Sequence, residues 1–318
     1  MKPITGSFFE FDHHNRAEGK YYNESLWNFT EEQWRAKVRE HKNLGFDTLI
    51  LLCSALYNEV YFDFDEMPYA KHIKCKNAIE VFLDESEKQG LKVYLSAGYY
   101  GDWTLPEEAT TDRDLVKLAI RGMKRLNELY GHYSCIIGWY LPDEWEIKGH
   151  FDERFISYIN EMAAVAHSFN PNYKVGIGPY GTNMTTPDEK YVEQLSRMDL
   201  DFIAYQDEVG VYKSTPEQTP AYYKALKEAH DKAGRAALWA NVETFKFEGV
   251  RYQSALLPAE WQRVKKQIEA VSPYVEKVIC YTVEGMMTEP GSISRAGHPE
   301  TAEKLYSDYM NWLENESK

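Results

Sequence analysis

The sequence predicts an α/β protein built as a single closed (β/α)8 barrel, the TIM architecture, over residues 1–318. Three observations carry that expectation. Eight short runs rich in β-branched, aromatic or small residues alternate strictly with eight longer helical patterns. A chain of 318 residues, 43% hydrophobic and free of low-complexity tracts, has room for one large barrel and a sizeable core. The first strand leads into GSFFEFDHHN, which lacks the glycine-rich phosphate loop that commonly follows the first strand of an open doubly wound sheet.

In order, the strands are read at 4–11, 47–54, 91–99, 135–141, 173–180, 200–206, 236–243 and 277–284. The helices between them carry legible ends. Thr30 with Gln33 forms a capping box before EEQWRAKVREHKNL, and Gly45 stops that helix. Helices over 76–89 and 112–130 end at Gly90 and Gly131, and one over 151–169 ends before Asn170-Pro171. Thr186, with Pro187 at the first helical position, opens the next, which runs through Arg197. Helices over 221–233, 258–271 and 299–314 complete the set, the first stopped by Gly234 and the second by Ser272-Pro273.

Fifty acidic residues against 36 basic ones give a formal charge of −14, which repels phosphate backbones and anionic lipid. Neither nucleic acid nor a membrane is expected as a partner, and no apolar run reaches the length of a membrane span. No charged-then-apolar leader opens the chain, so a cytoplasmic place is the default, and a secreted or periplasmic one follows if a leader was trimmed. Cys53, Cys75, Cys135 and Cys280 show no CxxC spacing and read as reduced structural thiols. Oligomeric state leaves no mark in the sequence.

In a (β/α)8 barrel the chemistry gathers where strands run into their following loops. Those junctions carry Glu10, Asp12, His13 and His14 after strand one, and GYYGDW (98–103) after strand three. WYLPDEWE (139–146) follows strand four, Asp207 and Glu208 strand six, Glu243 strand seven and Glu284 strand eight. Strands four and seven lie three steps apart in an eight-membered ring, so Glu144 and Glu243 are expected to face each other across the mouth. Carboxylates so placed can approach to about 5–5.5 Å, the separation used in retaining glycoside cleavage. That chemistry needs one acid kept protonated to release the leaving oxygen and one ionised to attack the anomeric carbon.

At these residues the chain resembles the clan A retaining glycoside hydrolases, which are (β/α)8 barrels. Their proton donor at the end of strand four matches Glu144 in LPDEW, and their nucleophile at the end of strand seven matches Glu243 in ANVETF. More narrowly, ITGSFFEF, GFDTLILL and WYLPDE look like an uncharacterised glycosidase-related barrel family of unassigned activity, over essentially the whole chain. The resemblance implies a carbohydrate substrate and no cofactor. It also implies that Tyr205 supports the nucleophile and that Tyr281 stands where the clan often has a floor tryptophan. Asp143 holds the slot in which the clan places an asparagine that binds the neighbouring hydroxyl. An aspartate there accepts but cannot donate, and its charge raises the pKa of Glu144.

Further substrate contacts are expected from Asp207, Glu208, Glu284, Asp12 and His13, and from aromatic walls including Tyr100, Trp103 and Trp145. Tyr99, Tyr180, Tyr212 and Phe245 are further wall candidates; aromatics make up 14% of the chain, and flat rings suit the C–H faces of pyranoses. First-turn acids of a helix, core packing and surface ion pairs are the plainer explanations for any one of these. His13 and His14 raise the question of a metal, but no other histidine falls at a strand end, and no metal is expected. Three functions stay open: an O-glycosyl hydrolase, a carbohydrate-binding barrel without catalysis, and a metal-dependent hydrolase.

Overall fold

The computed structural model describes residues 1–316. Eight parallel strands close into a barrel: β1 (Ile4–Phe9), β2 (Thr48–Leu51), β3 (Lys92–Ser96), β4 (Ile136–Leu141), β5 (Lys174–Ile177), β6 (Phe202–Gln206), β7 (Ala237–Glu243) and β8 (Lys277–Tyr281). Each strand pairs with its neighbours in sequence, and β1 closes the ring on β8 with Ser7 beside Cys280. Every strand predicted from the sequence is present, shortened at one or both ends where residues turn from the ladder into loops.

Among the described residues eight longer helices cover the outside, α1 (Glu31–Asn43), α2 (Ala78–Lys88), α3 (Arg113–Tyr130), α4 (Glu153–Phe169), α5 (Glu189–Arg197), α6 (Thr219–Ala233), α7 (Trp261–Val271) and α8 (Pro299–Glu316), and two short ones, Asn23–Trp27 and Pro106–Thr111, lie in the loops after β1 and β3. Thr30 makes the expected capping box with Gln33. Helices α2, α4, α5 and α7 begin later than their sequence signals suggest. Asp188, not Thr186, caps α5 by accepting from the Tyr191 amide at 3.0 Å. A carboxylate is the stronger acceptor at a helix N-terminus and also suits the helix dipole. Pro258 lies outside α7, in a short antiparallel pair of Phe245–Phe247 with Leu256–Pro258, and the helix starts at Trp261. That pair forms a hairpin after β7, which the alternation of strands and helices gave no reason to expect.

Side chains alternate along each strand between the barrel interior and the helix layer. Phe8, Ile50, Tyr94, Tyr140, Phe202, Trp239 and Ile279 fill the interior as one cluster. Phe202 stacks on Trp239 at 4.0 Å, and Phe8 meets Tyr140 edge-on at 5.1 Å. Such pairs add about 0.5–1.5 kcal/mol each beyond burial. This plug fills the middle of the barrel and separates the hollow at the strands' C-terminal ends from the opposite end. The four cysteines are buried and free, and no described helix is long and apolar enough to cross a membrane.

Candidate active site

A cavity of about 420 Å3 opens at that end of the barrel, floored by Phe8, Leu52, Gln206 and Asn241. Glu144 and Glu243 both line it, one from beyond β4 and one from the last position of β7. Glu144 Oε2 accepts from Gln206 Nε2 at 2.8 Å, and the same amide donates to the Gly178 carbonyl at 3.1 Å, so β5 and β6 fix the carboxylate together. Burial pushes the Glu144 carboxyl up to about 7 against the lowering effect of Gln206, and neighbouring Glu208 and Asp143 add to the rise.

Glu243 is enclosed more tightly. Its Oε2 accepts from the Val211 amide at 2.8 Å. A Cβ placed on Gly210 would lie 2.9 Å from both Cβ and Oε2 of Glu243, so the chain passes close over the carboxylate with no room for a side chain. Burial, and then the charge of Asp207, hold the Glu243 carboxyl well above the usual range, while the Val211 amide and Arg263 work in the opposite direction. Lys213, the one lysine or arginine lining the cavity among the described residues, pairs with Glu146 at 3.6 Å and Glu208 at 3.7 Å.

Eight more of the residues singled out in the sequence line this hollow: His13, His14, Tyr99, Trp103, Tyr180, Glu208, Phe245 and Tyr281. Glu208, at φ 56°, accepts from the Gly181 amide at 3.0 Å. Trp103 stands 4.6 Å from the His14 ring. Tyr281 donates to Glu10 Oε2 at 2.9 Å and lies 3.0 Å from His13 Nδ1, while His13 Nε2 is 3.1 Å from Glu18. Burial lowers His13 and His14 to about 3, so both rings are neutral, and it raises Glu18 to about 7.

The remaining residues point elsewhere. Asp143 accepts from the Tyr158 hydroxyl of α4 at 2.8 Å and is absent from the cavity wall. Tyr205 faces the helix layer, 2.8 Å from the Tyr191 hydroxyl and 3.2 Å from His230 Nε2; the cavity-facing residue at the end of β6 is Gln206. Asp207 sits behind Glu243, accepting from Gln267 at 2.7 Å and from the Glu243 amide at 3.2 Å. Tyr100 packs against Gly122 of α3. The Trp145 indole donates to Thr110 at 3.0 Å, its ring stacked on Phe155. Glu284 accepts from Thr282 at 2.6 Å, and Asp12 accepts from Trp27 at 2.8 Å and meets His72 at 3.0 Å.

Glu10, His13 and His14 bring three possible metal-ligand atoms within 4.8 Å of one another. Glu10 and His13 are already hydrogen-bonded to Tyr281, and His13 to Glu18 as well. Glu10 and His13 thus belong to a hydrogen-bonded network with Tyr281 and Glu18, while the buried His14 Nδ1 has no hydrogen-bond partner among the described residues. Gln206, Asn241, Glu18 and Lys213 escaped the sequence reading. Gln206 and Asn241 had a signal, since they fall in step with inward Ala204 and Glu243 under the two-residue period of a strand.

Asp143 yields a stability prediction. Burial lifts its carboxyl to about 7, from 3.8 for a free aspartate. Between those values the folded chain holds a proton that the unfolded chain has lost, so stability falls as pH rises through the window. Asp143→Asn keeps an acceptor for Tyr158 and removes the buried charge. It is expected to raise Tm by about 2–6 °C at pH 8 and to leave it unchanged at pH 4. Thermal unfolding at the two pH values checks this; an equal shift at both would remove Asp143 ionisation as the cause.

Solved structures resemble this (β/α)8 barrel along nearly its whole length. A "putative alpha-L-fucosidase" from Bacteroides thetaiotaomicron VPI-5482 aligns with a TM-score of 0.79 and 18% identity, covering 98% of this chain and 94% of that one. The endo-1,4-beta-mannanase from Rhizomucor miehei aligns at 0.60 and 10% identity, covering 99% and 95%. A beta-galactosidase from the psychrophilic Marinomonas ef1 aligns at 0.61 and 10% identity, covering 100% of this chain and 59% of that one. At these identities the likeness is one of fold. Residues 4–294 match the family described as Domain of unknown function (DUF4434), and the chain belongs to that family. No curated protein sequence matches it.

Proposed function

We propose that this protein is a retaining glycoside hydrolase in which Glu144 is the acid/base and Glu243 the nucleophile. The observation that carries the reading is that both carboxylates line one cavity while held by different partners, Gln206 for Glu144 and the Val211 amide for Glu243. The glycosidases among the structural neighbours support it as analogues of fold.

In the first step Glu243 in its ionised form, which the Val211 amide and Arg263 favour against the burial that raises its carboxyl, attacks the anomeric carbon as the bond to the leaving oxygen breaks, and Glu144 gives that oxygen its proton. The product is a glycosyl ester on Glu243. Glu144, now ionised, takes a proton from water, whose oxygen attacks the same carbon and releases Glu243. The two inversions return the original configuration. A carboxyl held near 7 by its surroundings suits an acid that must give and recover a proton in each cycle. Glu208, Glu18 and the His13–Tyr281 pair supply acceptors and donors for sugar hydroxyls, and Trp103 and Tyr99 supply apolar faces.

The test is reaction with a panel of 2-deoxy-2-fluoro glycosides followed by peptide mass spectrometry. The expected result is one sugar on the peptide carrying Glu243. A sugar on Asp207 or Glu208 would reassign the nucleophile. Saturable sugar binding with neither labelling nor turnover across a panel of aryl glycosides would leave a binding barrel in place of an enzyme.

A further inference from the structure

The rim of the cavity is unequal on its two sides. On the side of Glu243, the loop after β1 and the hairpin after β7 are tied together. Asn15 Nδ2 donates to the Tyr252 carbonyl at 3.1 Å, and the Tyr21 hydroxyl donates to Glu248 at 2.5 Å. Lys20 also reaches Glu248, at 3.5 Å. Tyr252 and Phe245 of that hairpin segment line the cavity wall. These contacts bridge the arc of β7, β8 and β1 and end the hollow there.

The opposite arc is open. Thr104, Pro106, Glu146 and Tyr180 line the cavity and also a second cleft of about 980 Å3. Glu146 and Tyr180 are joined across the loops by a β-bridge, so the passage between the hollows has a fixed wall. The cleft runs on past exposed Leu105 and Lys148 toward His150, over loops that follow β3, β4 and β5. Its lining combines apolar side chains such as Leu105 and Tyr180 with hydrogen-bonding ones such as Lys148 and His150, the mixture a sugar chain requires.

Chemistry gives this asymmetry a direction. The group that protonates the leaving oxygen must touch it, so the departing part of the substrate lies on the Glu144 side. The sugar whose anomeric carbon is attacked lies on the Glu243 side. Resting on the function proposed above, we infer that the second cleft holds the departing portion of an oligosaccharide. The tied rim beside Glu243 stops the other end, so chains are shortened from the non-reducing terminus.

The sugar identified by fluoroglycoside labelling supplies the probe: oligosaccharides of that sugar and linkage, two to five units long, tagged with 2-aminobenzamide at the reducing end. The native protein is expected to show kcat/KM rising about tenfold or more from disaccharide to tetrasaccharide, because remote contacts in the cleft lower the barrier. The first products should be an untagged terminal sugar and a tagged chain shorter by one unit. A flat length dependence would remove the cleft as a binding site, and early internal cleavage would remove the stop at the rim; either result leaves the glycosidase reading standing. A protein that neither labels nor cleaves any member of the panel fails the reading itself, and this inference falls with it.

Discussion

Glu243→Gln is expected to reduce kcat by about 10⁴-fold or more, the scale on which removing one member of a catalytic set is felt, with the fold intact. The amide keeps an oxygen for the Val211 N–H but cannot form the glycosyl ester. The substitution also removes the unfavourable charge beside Asp207, so Tm at pH 8 should stay the same or rise. Steady-state kinetics on the aryl glycoside found by the panel, with thermal unfolding alongside, checks both halves. Turnover near the native rate would eliminate Glu243 as nucleophile. A collapse of Tm together with activity would mean that the carboxylate holds the loop of Val211 and not the chemistry.

Glu144→Gln should lower kcat by about 10²–10⁴-fold on substrates whose leaving group needs a proton. With a dinitrophenyl glycoside, which departs unaided, kcat/KM should stay within about tenfold of native, while hydrolysis of the intermediate stalls for want of a base. Azide, which attacks without one, should restore turnover. The pH profile gives a separate check. Glu144 must carry its proton to act as an acid, and with its carboxyl near 7, native kcat/KM should fall as pH rises through that value. In Glu144→Gln the fall should vanish. An alkaline limb unchanged in the variant would assign it to another group.

The barrel could be read from the sequence because its signals are local and repeated. Capping residues, helix-stop glycines and short β-rich runs recur along the chain, and strict alternation admits few topologies. The candidate site was legible at the level of strand ends, which placed Glu144 and Glu243 on one rim, where both line the cavity. What one sequence hides is phase. Beyond the last ladder residue a side chain can turn to the hollow or to the helices, and neighbouring acids look alike. Asp143 and Glu144 part company in this way, one to Tyr158 and the other to Gln206, as do Asp207 and Glu208. Tyr205 and Gln206 lie inside a strand, where the two-residue period could have sorted them. A resemblance that offered Tyr205 pointed to the wrong member of the pair for contact with the cavity. The hairpin after β7 interrupts the alternation with a short antiparallel pair and is tied to the loop after β1 by contacts distant in sequence.

The bare backbone at Gly210 supplies a marker for sorting relatives. Even a methyl group there would collide with the carboxylate it shelters. On the function proposed above, a homologue with both glutamates but alanine or anything bulkier at that position is expected to shift the Glu243 carboxylate or the Phe245 carbonyl beside it and to lose activity.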